Sequence, residues 1–175
     1  MERLDASHIA AAAGGFEPQR QNNFMLRCTP PGGADPQTIE LSMQAFPFPK
    51  DTTSIETINY LNSARKFAGR TTFTDAELTL RDYVEQSTAQ TMREWRRRVF
   101  DPETGKTGLC SGYKIQATLI LFAPDGSHER RWKLLGLWPS SSNLGDGNMD
   151  NAGQNLITYL MAIDYIIPEV AQAAA

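Results

Sequence analysis

Histidine is almost missing from this chain: His8 and His128 are the two in 175 residues. Cysteine is as scarce. Cys28 and Cys110 stand far apart and form no Cys-x-x-Cys pair, so zinc-ribbon and thioredoxin-type chemistry is excluded. No Gly-x-Ser-x-Gly, phosphate loop or His-Glu-x-x-His occurs. A nucleophilic pair of Cys110 and His128 can be drawn. The simpler reading is a loop thiol and a solvated turn imidazole. Asp146-Gly147-Asn148-Met149-Asp150 opens like a calcium loop, then fails: Asn151 stands where Gly is needed and Ile157 where the bidentate Glu is needed. The expectation is a chain with no catalytic residue, no cofactor and no metal.

Long hydrophobic runs are also lacking. The most apolar stretch, Leu156 to Ile167, is broken by Asp164 and stopped by Pro168, too short to span a bilayer. Glu2 and Asp5 occupy the place of a basic signal region, and Ile9 to Ala13 is too short for a secretory core. Synthesis in the cytoplasm without membrane insertion is expected. Nor is there an excess of one charge: 17 Lys+Arg face 20 Asp+Glu, a net charge of -3. That balance does not suit a protein that wraps DNA, but it permits one past which DNA slides. At 41% hydrophobic residues the chain can build one ordinary core, and residues 1–175 read as one domain.

What is present reads mainly as β structure. Residues 1–22 form a polar N-terminal arm, with a short helix possible over Asp5 to Ala13. Phe24 to Cys28 reads as a strand, and Pro30-Pro31-Gly32-Gly33 forces a turn. Ile39, Leu41, Met43 and Ala45 alternate with polar residues, which predicts a half-buried strand. Phe46-Pro47-Phe48-Pro49 ends it, and residues 50–72 form a long, less regular connection. Ile55, Ile58, Tyr60 and Leu61 suggest extended structure, and Arg65 to Arg70 reads as a basic turn. Leu78, Leu80 and Val84 mark another strand.

One helix is expected after an S-x-x-Q capping box at Ser87 and Gln90. Its apolar stripe is Ala89, Met92, Trp95, Arg96, Val99 and Phe100, and Asp101-Pro102 stops it. Arg93, Arg96, Arg97 and Arg98 could bind phosphate, but a solvated face paired with Glu94 and nearby acids is the plainer reading. Residues 103–112 read as a Gly-rich loop. Residues 113–138 read as a β-hairpin turning at Ala123-Pro124-Asp125-Gly126. Trp132 and Trp138 share strand parity and are expected to pack the helix that carries Trp95. Pro139 to Gly153 reads as a polar loop, Leu156 to Tyr165 as the last strand, and residues 168–175 as a flexible tail. The expected fold is mainly β, an antiparallel barrel or sandwich with one flanking helix.

Four segments together resemble the tail tube proteins of contractile-tailed bacteriophages. Gly69-Arg70-Thr71-Thr72-Phe73-Thr74 resembles the family's segment before an alternating strand. Tyr113-Lys114 opens the hairpin, and Gly136-Leu137-Trp138-Pro139 with Ile163-Asp164-Tyr165 closes the domain. The order of elements agrees from about Phe16 to Tyr165. The turn at residues 30–36 and the end past Pro168 depart from the family pattern.

The resemblance implies a structural virion protein, the major tail tube subunit. Six copies form a ring, each lending strands to one inner barrel, and the rings stack into a hollow conduit for genome ejection inside a contractile sheath. The implied partners are sister subunits, sheath, baseplate and terminator proteins, and the tape measure followed by duplex DNA, held without specific binding. Rings of that size leave a water-filled channel, and ring closure removes hazardous sheet edges. A lumen that is polar and neutral to acidic is expected.

The stacking element is expected at residues 47–72, through Ile55, Ile58, Tyr60, Leu61, Phe67 and Arg70. Deleting about Asp51 to Lys66 is then expected to leave folded subunits that form no tubes. Once a particle leaves the reducing cytosol, Cys28 and Cys110 could bridge neighbouring subunits; two buried or idle thiols are the simpler reading. Alternatives are a tube-like baseplate or tail-completion protein and the tube of a phage-like injection or secretion machine. From another class, a small β-rich enzyme or binding module remains open.

Overall fold

The computed structural model describes residues 18–33, 35–84, 88–124, 129–145, 149 and 153–169. The arm helix expected at Asp5 to Ala13, Ser87, both histidines, most of the calcium-like loop and the end from residue 170 lie outside the described residues.

The chain starts as expected with strand β1 (Phe24–Cys28). The next segment differs. Asp35 accepts the N–H of Gln37 at 3.0 Å, and Pro36 sits in the first turn, so the backbone enters helix α1 (Pro36–Ser42). Cap and proline override the alternation over Ile39 to Ser42. Ile39 and Ser42 are buried and Leu41 is exposed, which is helical spacing. Only β2 (Met43–Ala45) is strand.

The segment expected to be irregular is a regular hairpin, β3 (Asp51–Tyr60) and β4 (Ser63–Phe73). The basic stretch Arg65 to Arg70 is therefore strand, not turn. Strand β5 (Ala76–Arg81) buries Ala76, Leu78 and Leu80; Val84 lies beyond it and is exposed. Helix α2 (Thr88–Val99) buries Thr88, Met92, Trp95 and Val99. Phe100 leaves the stripe and joins Asp101 in β6 (Phe100–Asp101), paired with β7 (Lys106–Thr107) inside the supposed loop. A one-turn helix, α3 (Cys110–Tyr113), follows.

The main sheet has seven strands. Its path is β1-β8-β9-β10-β5-β2, with β11 also on β9. Every pairing is antiparallel. Strand β8 (Ile115–Phe122) pairs with the first part of β9 (Glu129–Asn143). The supposed loop after Pro139 is thus partly strand: β9 runs on to Asn143 and pairs with β10 (Leu156–Ala162). The expected last strand breaks at Ile163-Asp164, and β11 (Tyr165–Glu169), including Pro168, returns along the first part of β9. One strand shared by two partners curls the sheet into a half-barrel. Its concave side holds Leu26, Leu78, Leu80, Leu119, Leu134 and Tyr159, covered by Trp95 and Met92 of α2.

The ends of the sheet stay open. Among the described residues β1 pairs only with β8, β2 only with β5, and β11 only with β9. No helix among them is long and apolar enough to cross a membrane.

Candidate assembly surface

The hairpin stands apart from the core. Every residue of β3 is exposed, and β4 is exposed except for half-buried Gly69 and Phe73. Cross-strand pairs Glu56–Phe67, Ile58–Arg65 and Tyr60–Ser63 define one of its faces. Ile58, Tyr60 and Phe67 make that face apolar, with the Arg65 guanidinium 5.2 Å from the Phe67 ring centre. Ile55 lies on the opposite face, opposite Ala68. A two-stranded hairpin without a packed face is marginal in water. This one has ten- and eleven-residue strands and an uncovered apolar face.

Two devices stiffen it. At the root, Thr74 N–H donates to the Lys50 carbonyl at 3.0 Å, and the Phe73 ring meets Tyr165 at 4.8 Å. Midway, the register shifts between Thr53 and Ile55. There the Arg70 N–H donates to Ser54 Oγ at 2.9 Å, and Ser54 lies so close to Gly69 that a β-carbon would collide with it. The tip is unusual. Leu61, fully exposed at 105%, holds φ at +48°, a conformation that favours glycine and asparagine.

The residues of the Gly-Leu-Trp-Pro and Ile-Asp-Tyr segments meet at one corner. Strand β8 advances two residues from Ile115 to Ala117 while β9 uses three, from Leu137 to Leu134. Gly136 is the extra residue, with φ +69°. The bulge switches the core-facing parity. Leu134 is buried before it, Leu137 and Pro139 after it. The Asp164 carboxylate presses on Gly136 where a β-carbon would stand, and its backbone N–H donates to the Leu135 carbonyl at 3.1 Å. Lys114 Nζ meets Asp164 Oδ2 at 2.6 Å, a hydrogen bond that holds the ammonium pKa above its ordinary value.

The parity switch also separates the tryptophans. Trp138 meets Tyr113 at 5.4 Å, and the carbonyl of Tyr113 accepts from Trp95 Nε1 at 2.8 Å, so Trp138 is joined to the helix through Tyr113. Trp132 does not: it packs on Phe48 at 6.3 Å, which in turn meets Phe24.

Cys28 lies in the core at 5% exposure, and burial, then Glu40, pushes its thiol up to about 12. Cys110 is exposed, its sulfur 3.4 Å from the Tyr113 hydroxyl, and both cysteines are free. Three of the four arginines of α2 are engaged locally. Arg97 pairs with Glu103 at 2.7 Å, Arg96 donates to the Pro139 carbonyl at 3.3 Å, and Arg98 rests on the Gly32 turn. Gln90 donates to Glu94 at 3.0 Å; its expected capping partner Ser87 lies outside the described residues.

A groove of about 220 Å³ opens beside the root of the hairpin. Phe46, Phe48, Leu160 and Ile163 form its apolar wall, and Lys50, Asp75 and Glu77 line it. Sequence reading missed this groove, because its walls come from four separate segments. The motif Phe46-Pro47-Phe48-Pro49 was its one visible signal.

No protein-family model matches the chain, and no curated protein matches it. Solved structures do. The fold is similar to a chain in the sheath/tube terminator of PVC, an extracellular contractile injection system, in the extended state: 10% identity, TM-score 0.66, over 88% of this chain and 98% of that one. It is similar to a chain of the tube-terminating cap of the anti-feeding prophage: 12% identity, TM-score 0.66, over 94% and 97%. A third likeness is to a chain of the PVC sheath–tube complex, with 15% identity and TM-score 0.54, over 98% and 100%. At these identities the likeness establishes the fold: a mainly antiparallel, curled half-barrel of the tube and terminator type.

Proposed function

We propose that this chain is a non-enzymatic structural subunit of a contractile, phage-tail-like machine, and within it a tube-forming protein. Copies close into rings of six, the rings stack, and the stack forms a hollow conduit inside a sheath. The observation that carries this reading is a sheet with open edges joined to a hairpin whose apolar face is exposed among the described residues. Open edges invite pairing with another chain. A closed ring of sister copies pairs one edge of each chain with a different edge of its neighbour and leaves no free end to the assembly.

The convex face of the sheet suits a conduit wall. Along β9 its charges are matched in pairs, Arg131 with Glu129 and Lys133 with Glu169 at 3.7 Å, while Arg27, Glu77 and Arg81 on the neighbouring strands add two cations and one anion. Paired charges offer DNA phosphates little net attraction. The stacking contact belongs to the hairpin, through Ile58, Tyr60, Leu61 and Phe67, with Ile55 and Arg70 on its flank.

One observation favours a second reading. The terminator and cap chains fit with TM-score 0.66, the sheath–tube chain with 0.54. A terminator or cap ends a tube instead of extending it. Negative-stain microscopy of the concentrated protein separates the two. A tube subunit gives stacks of many rings; a terminator gives one or two rings at every concentration.

A further inference from the structure

The hairpin needs a receiving surface, and the same molecule offers one. We propose that the hairpin tip of one copy docks into the groove beside the hairpin root of a second copy. This rests on the tube reading and names the contact that joins one ring to the next.

The two surfaces complement each other in shape and charge. The tip presents fully exposed Leu61 and half-exposed Tyr60. The groove presents the apolar wall of Phe46, Phe48, Leu160 and Ile163. Behind the tip stand Arg65 and Lys66, and residues 57–66 carry no acid. On the groove stand Asp75 and Glu77, both exposed and neither in an ion pair or side-chain hydrogen bond among the described residues. Lys50 is the only cation lining the groove, so its carboxylates outnumber its ammonium. Opposite charges around an apolar contact steer and orient docking.

The backbone at Leu61 points the same way. A left-handed turn position is easily filled by glycine or asparagine, and Asn62 is the very next residue. A leucine held there with its side chain in water serves neither the turn nor the core. A partner that buries it gives it a role.

The contact is head-to-tail: tip and groove are different patches on one chain, so each copy both gives and receives. A β-strand rises about 3.3 Å per residue, so ten residues carry the tip about 33 Å from its own root. A tip cannot fold back into its own groove. It meets that of the next copy along the stack, at a repeat of about one hairpin length.

Charge reversal with rescue tests this on the full chain. R65E/K66E alters the tip and D75K/E77K the groove. Assembly is read as the pelleted fraction and stack length in micrographs, and folding as circular dichroism. Each double variant is expected to stay folded and to lose stacking at least tenfold, and the chain with all four changes to regain it. Leu61→Asn is expected to weaken stacking with the fold intact. A second readout is crosslinking. With Cys110→Ser, the pair Leu61→Cys and Glu77→Cys is expected to give a ladder of chain multimers on oxidation, where either cysteine alone gives dimers at most.

Stacks that form equally well in both charge-reversed variants, or a quadruple variant no better than either, overturn this contact and leave the tube reading standing. A wild-type chain that forms neither rings nor stacks overturns the tube reading itself.

Discussion

Gly136 lies under the Asp164 carboxylate and in a left-handed conformation, so a side chain there is refused twice. Gly136→Ala is expected to lower stability by about 1–3 kcal/mol from backbone strain, with more from displacing Asp164. A drop in the urea midpoint measures it, and an unchanged midpoint contradicts the corner geometry. Leu61→Asn acts in the opposite sense on the isolated chain. Relieving the left-handed leucine is expected to gain up to about 1 kcal/mol while assembly weakens.

Cys28 carries a pH prediction. The thiol ionises near 9.0 in the unfolded chain and near 12 when buried. Between those values the unfolded state releases a proton that the native state keeps. The thiol's contribution is therefore complete below pH 9 and lost as pH rises toward 12. Cys28→Val is expected to flatten that decline, and a maleimide reagent to label Cys110 alone in the native protein. The sequence named both cysteines and the Gly-Leu-Trp-Pro corner. It could not tell that Gly136 is a bulge, because counting alternate positions assumes an unbroken ladder. That assumption put Trp132 on the helix; its partner is Phe48.

Among the elements, α2 was legible because its stripe of Met92, Trp95 and Val99 recurs at helical spacing and is buried. Trp95→Phe is expected to cost about 1 kcal/mol through the lost bond to the Tyr113 carbonyl. The segment at Ile39 to Ala45 misled for a local reason. Its apolar residues fit a period of two, but Asp35-Pro36 starts a helix that turns Leu41 outward. The hairpin was harder still. Ile55 lies on the face opposite Ile58 and Tyr60, and Leu61 sits in the turn, so the hairpin's apolar residues break the period of two and hid the strand pairing although length and apolar content marked the region. The observed root also refines its excision. Joining Lys50 to Thr74, already hydrogen-bonded at 3.0 Å, removes β3 and β4 whole. Thermal unfolding is expected to stay cooperative and near wild type, because the hairpin contributes nothing to the buried cluster except Phe73 at its root. Stacking is expected to vanish. Stacks of normal length from the excised chain would place the contact elsewhere.

At the scale of the molecule, half of a barrel is drawn and its rims are left open. The sequence announced β structure and one flanking helix, and both are present. It could not announce that the sheet stops short of closure, since β1 and β2 look in sequence like ordinary strands and β11, with Pro168 inside it, reads as the start of a tail. On the proposed ring another copy completes them, and backbone amides report that directly. The decisive measurement is hydrogen exchange at Phe24–Cys28, Met43–Ala45 and Tyr165–Glu169 in concentrated, assembled protein against dilute protein. Rings of sister copies predict that the outward amides of at least two of these strands slow markedly on assembly, while the core of β8 and β10 is unchanged. Edge amides that exchange equally fast in both samples would contradict a sheet completed by its neighbours.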